Sequence, residues 1–286
     1  MPSVRDLRLR IRSMKNTQQI TKAMKQVAAA KIRRADSLRK QSRPYADALA
    51  QMLQDLLAAV GTVDHPFMKP GAPDAPAGII LMTADKGLAG AFNANVIRVG
   101  EQMNRDDANR RWYPVGIKAR NAVQRLGQEA VRTWPQQSAD KLAAAREIAA
   151  QVSDDFIAGR IGSVQLISSK LVTMMSQRPE TRQLLPVQAT EVAAPSDGPR
   201  NSVEFEPSPE AVLSRLLPKY LEFTIYAAML ETDAAFYAAQ LVAMSNASDN
   251  AGKLIDQLTV QMNNARQAAI TKEILEIVGG AEALAG

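Results

Sequence analysis

Cysteine is absent from the 286 residues. Disulfides, thiolate metal sites, cysteine nucleophiles and CxxC redox switches are therefore excluded. Histidine occurs once, as His65, so a multi-histidine metal site cannot form and a Ser-His-Asp triad would have to use that residue. No apolar run reaches the roughly 18 residues of a membrane span. The opening stretch MPSVRDLRLRIRSMKNTQQ lacks the continuous apolar segment of a secretory signal. Two long segments are nearly free of helix breakers. Residues 3–58 contain no glycine and one proline, Pro44, and between Pro218 and Val278 Gly252 is the only breaker. With 46% apolar and 22% charged residues, the composition is that of a globular chain.

Charge is unevenly spread. Residues 1–43 hold 13 basic and 2 acidic residues, a net of +11, whereas residues 44–208 come to −1 and residues 209–286 to −4. A basic element of this kind implies an anionic partner or face.

The breaker-poor segments read as helices, of about 55 residues at the start and 65–70 at the end. Ser3 is a candidate N-cap. Val4, Leu7, Ile11 and Met14 form a heptad-like stripe; after the polar Thr17-Gln18-Gln19 it resumes at Ile20, Met24 and Val27, which implies a phase break. Pro44 is expected to bend this helix. In the last segment Ala247, Ala251, Leu254, Leu258, Met262, Ala265 and Ala269 form a second stripe. Helices this long point to a coiled coil, and the two ends, entering and leaving one small domain, are expected to pair antiparallel. The last residues are nearly uncharged, with Glu282 alone after Glu276, as suits insertion into a surrounding sleeve.

The middle of the chain alternates. GIILMTA (78–84), WYPVGI (112–117), VRTW (131–134) and SVQLISSKLVTMM (163–175) read as strands, with helices over 88–105, 118–127 and 139–158. RPETR (178–182) reads as a hairpin turn returning through QLLPVQ. The expected fold is α/β: a small, mostly parallel sheet domain inserted between two very long terminal helices that form an antiparallel coiled coil. The boundaries are 1–60, 61–207 and 208–286.

TADKGLAGAFNAN (83–95) invites a phosphate-loop reading but lacks GxxxxGK[ST] and GxGxxG, so Gly87 and Gly90 read as shaping a tight turn. His65 reads as a plain loop residue, and Asp106-Asp107 and Asp154-Asp155 as solvated helix ends. The basic helix 13–35 is open to three readings: a solvated coiled-coil face, a nucleic-acid helix or a membrane-surface helix.

Four stretches narrow these readings. SMKNTQQITKAMKQVAAAKIRRA, TADKGLAGAFN, LPKYLEFTIYAAMLE and AMSNASDNAGKLIDQLTVQMNNARQAAITKEILEIVGGAEAL together resemble the gamma subunit of F-type ATP synthases over effectively the whole chain. The resemblance implies the central rotor shaft of the F1 sector, coupling c-ring rotation to the beta catalytic sites. It implies no catalytic residue, cofactor or metal in this chain. The implied partners are an alpha3beta3 hexamer, an epsilon subunit and the membrane c-ring, with no nucleic acid; a basic coiled-coil nucleic-acid-binding or scaffold protein is the alternative. The implied location is peripheral, on the cytoplasmic face of a bacterial inner membrane, since a signature starting at Ser13 leaves no room for a presequence.

The resemblance also assigns residues. Arg266 and Gln267 are implied to make catch contacts with one beta subunit at a time. Met24 and Lys25 are implied to lie across the coiled coil from Arg266–Glu276, with Ile20 and Met24 near Arg266, and the rotor-shaft reading is made to depend on that proximity. Thr271 and Glu276 match positions linked to coupling. Lys31, Arg33 and Arg34 are implied to face acidic lever loops of beta. Phe205, Glu206 and Pro207 are implied to sit near the c-ring or epsilon.

Overall fold

The computed structural model describes residues 3–60, 65–187, 206 and 208–285, with the backbone alone for 58–60, 209 and 282–285. The elements run α1 (Val4–Val60), a 3-10 turn (Pro66–Met68), β1 (Ala77–Met82), α2 (Phe92–Asp106), β2 (Arg110–Val115), α3 (Ile117–Arg125), α4 (Lys141–Ile157), β3 (Ser163–Thr173), β4 (Ser176–Leu185) and α5 (Pro209–Ala285). Ser3 does cap α1. Its hydroxyl accepts from the Asp6 amide at 3.1 Å, and the Asp6 carboxylate accepts in turn from the Ser3 amide and hydroxyl, a reciprocal capping box. Ser208 caps α5 at the Ala211 amide, with Pro209 at the first helical position.

Two compact units emerge: residues 1–28 with 241–286, and residues 29–240. The helices contribute to both, so the division does not fall at their ends. Leu49, Leu53 and Leu56 of α1, and Leu213, Leu217, Ile225 and Met229 of α5, belong to the sheet's core.

In unit 29–240 the strand order is β2-β1-β3-β4, with β1 parallel to β2 and β3, and β4 antiparallel on the edge. Period-2 alternation assigns β1 to two cores. Ile80 and Met82 face α4 and the inner parts of α1 and α5, whereas Ile79 and Leu81 face α2 and α3 through Val96, Ala119 and Val123.

Two sequence expectations need correction here. VRTW forms no strand; Ala130 and Trp134 make isolated bridges to Trp112 and Val115 beside β2. RPETR is not the hairpin turn but lies inside β4, with Pro179 opposite Ser169, because an edge strand tolerates a residue without an N–H. The turn is Thr173–Ser176, where the Thr173 hydroxyl accepts from the Met175 and Ser176 amides.

Candidate functional site

The unit formed by residues 1–28 and 241–286 is an antiparallel helix pair. Lys25 Nζ donates to Ser245 Oγ at 3.0 Å, and Gln18 Nε2 to the Ser248 carbonyl at 3.4 Å. At the far end Leu7 and Ile11 close on Leu258, with Met14, Ile255, Met262 and Ala265 beside them. The shielded positions of α1 are Val4, Leu7, Ile11, Met14, Gln18, Thr21, Met24 and Ala28, a nearly unbroken 3,4 repeat. No break falls at Thr17–Gln19; the one irregularity is the pair of three-residue steps from Gln18 through Thr21 to Met24. Gln18 and Thr21 occupy the seam, and Ile20 and Val27, expected there, are exposed. Both polar groups are satisfied, Gln18 across the pair and Thr21 by donating to the Gln18 carbonyl, so burying them carries little penalty. On α5 the seam is Met244, Ser248, Ala251, Ile255, Leu258, Met262 and Ala265; Leu254 and Ala269 lie outside it. Gly252 leaves room for the Gln18 side chain, since a Cβ there would meet Gln18 Nε2 at 3.0 Å.

The register overturns one expectation. Met24 and Lys25 sit beside Ser245, not across from Arg266–Glu276. The 21 residues from Ser245 to Arg266 correspond to roughly 30 Å of helix. Ile20 and Met24 are therefore not neighbours of Arg266, which lies level with the start of α1. The ends pair as expected, but displaced along the axis, so the proximity test set from sequence fails even though the helix pair exists.

Beyond Ala265 pairing stops. Residues 266–281 are all exposed, including Ile270, Ile274, Leu275, Ile277 and Val278. Arg266 and Gln267 stand at this transition. Thr271 donates to the Gln267 carbonyl at 3.0 Å, and Glu276 pairs with Lys272 at 3.5 Å; both contacts are local to the helix. An apolar stripe over about two and a half turns with no partner in its own unit is a surface suited to a second molecule.

In the other unit, Lys31, Arg33 and Arg34 are exposed on α1, with Lys31 5.3 Å from the Tyr237 ring centroid. Lys31 and Arg34 border a groove of about 750 Å³ that is also lined by Leu38, Leu142, Leu230 and Tyr237. Glu206 is exposed beside Tyr45 and Arg215, whereas Phe205 and Pro207 lie outside the described residues.

TADKGLAG is a structural joint. Asp85 accepts from the amides of Ile117 at 3.0 Å, Gln136 at 3.3 Å and Gln137 at 2.8 Å, while Asn93 bridges the Ala84 amide and the Lys86 carbonyl. Asp85 and Asn93 are thus committed to bonds within the fold, while Lys86 is exposed. Gly116, at φ +95°, is required because a Cβ would lie 2.3 Å from the Thr83 carbonyl oxygen. Phe92 packs edge-on against Phe236 of α5 at 5.7 Å.

Asp155 also departs from expectation. Rather than a solvated helix end, it is buried, hydrogen-bonded to the Tyr113 hydroxyl and to Arg160 Nε at 2.7 Å, with Arg111 at 3.9 Å. Burial alone would raise its carboxyl, but the Tyr113 hydroxyl and Arg160 outweigh it and hold the group below the usual carboxylate range. Asp154-Asp155 gave no sequence signal for this; the aromatic hydroxyl at Tyr113, needing a buried acceptor, was the available clue. His65 is more than a loop residue, since its Nδ1 accepts from the Phe67 amide at 3.1 Å and caps the 3-10 turn.

Among the described residues no group of three or more His, Asp or Glu side chains could hold a metal, and no helix is long and apolar enough to cross a membrane. An α/β unit that shares two long terminal helices with a separate antiparallel helix pair defines the class: a mixed α/β protein with a two-helix coiled coil. Known proteins make this specific. A family model described as ATP synthase matches residues 3–284. The ATP synthase gamma chain of Heliobacterium modesticaldum is 44% identical over 99% of this chain and 100% of its own length, and that of Desulforamulus reducens 45% over the same shares. Among solved structures, the rotor of the Euglena gracilis mitochondrial ATP synthase matches at TM-score 0.68 and 20% identity, covering 93% of this chain and 98% of the other. The central stalk/c-ring structure of the Tetrahymena thermophila enzyme matches at 0.61 and 24%, covering 80% and 99%. The chain belongs to the ATP synthase gamma-chain family.

Proposed function

We propose that this gamma chain is the central rotor shaft of a proton-translocating ATP synthase, turned by a membrane c-ring and driving the beta catalytic sites of an alpha3beta3 hexamer through successive conformations. One observation carries this beyond family membership: residues 266–281 of α5 present Ile270, Ile274, Leu275, Ile277 and Val278 to the outside, past the end of their partner helix. A bearing of apolar contacts suits the last of them, because residues 277–281 carry no charge and can turn without leaving buried charges unpaired.

Torque follows from the helix pair. Twisting it would strain a packed seam and two backbone hydrogen-bond ladders. The shaft biases the beta sites only because it meets each one differently, since an equilibrium shifts only with unequal interaction. Nucleotide chemistry belongs to beta, and this chain supplies no catalytic residue. Arg266 and Gln267, at the first turn past the pair, act as the catch toward beta. Lys31, Arg33 and Arg34 face acidic lever loops. Met24 and Lys25 influence coupling from one level of the pair, Thr271 and Glu276 from another. Glu206, with Phe205 and Pro207, lies on the c-ring or epsilon side. The chain is held peripherally at the cytoplasmic face of a bacterial membrane through its partners; nothing in the fold favours the nucleic-acid-binding alternative.

Purification of the tagged chain from its native membranes tests this. Recovery with alpha and beta subunits is expected, and recovery only as a free monomer contradicts it.

A further inference from the structure

A cavity of about 140 Å³ lies between α5 and the β3–β4 pair, lined on the helix by the small Thr224, Ala227 and Ala228 and on the strands by the charged Lys170, Glu180 and Arg182. The small helix side chains leave little dispersion contact across this gap. At the edge of that gap stands a polar link. Glu231 of α5 accepts the Leu171 amide of β3 at 2.8 Å through Oε1. Its Oε2 accepts from Arg39 of α1 at 3.1 Å. Arg39 is itself held at 2.7 Å by Asp36 one turn earlier, and Asp36 by Lys40 at 2.8 Å. The β3–β4 register shifts between Leu171 and Thr173, so the Glu231 bond falls where the ladder is irregular.

We propose that Glu231 is a positioning residue for torque transmission: one carboxylate locks α1, α5 and β3 together, so that rotation of the sheet and rotation of the two helices stay in step. Apolar packing resists separation but slides; two charge-assisted bonds of fixed direction resist sliding as well. Arg39 and Glu231 are each only about a quarter exposed, so solvent competes poorly for the pair. The proposal rests on the rotor-shaft reading and adds where the shaft is fastened.

The test uses the whole synthase in sealed vesicles, with ATP hydrolysis and ATP-driven proton pumping measured on the same preparation and hydrogen exchange read at the Leu171 amide. Glu231→Ala is expected to retain hydrolysis, to speed exchange at Leu171 and to lower pumping per ATP by at least about twofold. A wild-type ratio together with faster Leu171 exchange overturns the proposal. Should that variant fail to assemble, Glu231→Gln decides: it keeps an acceptor for Leu171 and removes the ion pair with Arg39, so Leu171 stays protected while the ratio falls by a smaller factor. A wild-type ratio there also overturns it. Wild-type complex that hydrolyses ATP without pumping refutes the rotor reading itself, and the proposal with it.

Discussion

The Lys25 ammonium rests 3.0 Å from the Ser245 hydroxyl, and this pairing marks the axial register of the helix pair. Together with Gln18 against Ser248, it places Leu7 and Leu258 at the closing end and leaves α5 to run on alone. The register separates residues that look equivalent in sequence. Leu7 is 1% exposed and Ile20 60%. Leu7→Ala is expected to destabilise the helix pair by about 2–3 kcal/mol, the low side for a buried leucine because the seam is narrow. Ile20→Ala is expected to stay within about 0.5 kcal/mol. Chemical denaturation followed by helical circular dichroism checks both; equal losses would mean that the phase break read from sequence is real.

Asp155 makes stability depend on pH. Its folded-state carboxyl is held below the usual range, so between that value and the ordinary one near 4 the unfolded chain binds the proton more readily. Stability is therefore fully present above about pH 4 and lost as pH falls through the folded value. Glu222, gripped by Lys219 and Arg146 after burial is outweighed, acts in the same direction. Asp155→Asn is expected to cost about 1–3 kcal/mol at neutral pH, discounted because Arg160 and Arg111 remain partly solvated. The difference from wild type should vanish at acid pH. Tyr113 adds the opposite limb: burial first, then Asp155, raise its phenol, so stability falls as pH climbs past the ordinary tyrosine value of about 10.

Asp85 gathers three backbone amides from two loops. Asp85→Ala is expected to lower stability by about 2–4 kcal/mol, and calorimetric titration of the wild-type chain with ATP is expected to give no binding heat. ATP binding that disappears with Asp85→Ala would instead make TADKGLAG a nucleotide site.

Much of this was legible in the sequence, for physical reasons. The two breaker-free segments, the Ser3 cap and β1–α2–β2–α3 follow from periodicity and turn chemistry acting over a few residues. The seam was harder, because Gln18, Thr21 and Ser248 are polar residues in an apolar role: Thr21 meets its bond within α1, and only the partner helix shows that Gln18 donates to the Ser248 carbonyl. Leu254 and Ile255 are adjacent apolar residues, and a repeat of 3.6 cannot choose between them without the facing helix. RPETR looked like a turn because proline and charge usually mark one; being on the edge strand reverses the reading. The axial displacement of Met24 from Arg266 was not legible at all, since register depends on pairs more than 200 residues apart in sequence. The clamp at Glu231 was equally hidden, because a glutamate on a long helix looks like any solvated residue.

Arg266 marks the turn at which α5 leaves its partner, and no described residue pairs with its guanidinium. Arg266→Ala is expected to reduce ATP-driven proton pumping by about tenfold or to weaken assembly, as loss of an interfacial arginine anchor does, while unit 29–240 keeps its fold. Unchanged pumping in a fully assembled complex would remove Arg266 from the catch.

Rotation is the most direct measurement. With the alpha and beta subunits of the assembled complex fixed to a surface and a bead attached to an exposed residue of this chain's α/β unit, added ATP should turn the bead continuously in one direction, in steps set by three beta sites. A bead that stays fixed while the same complexes hydrolyse ATP would contradict the rotor-shaft role.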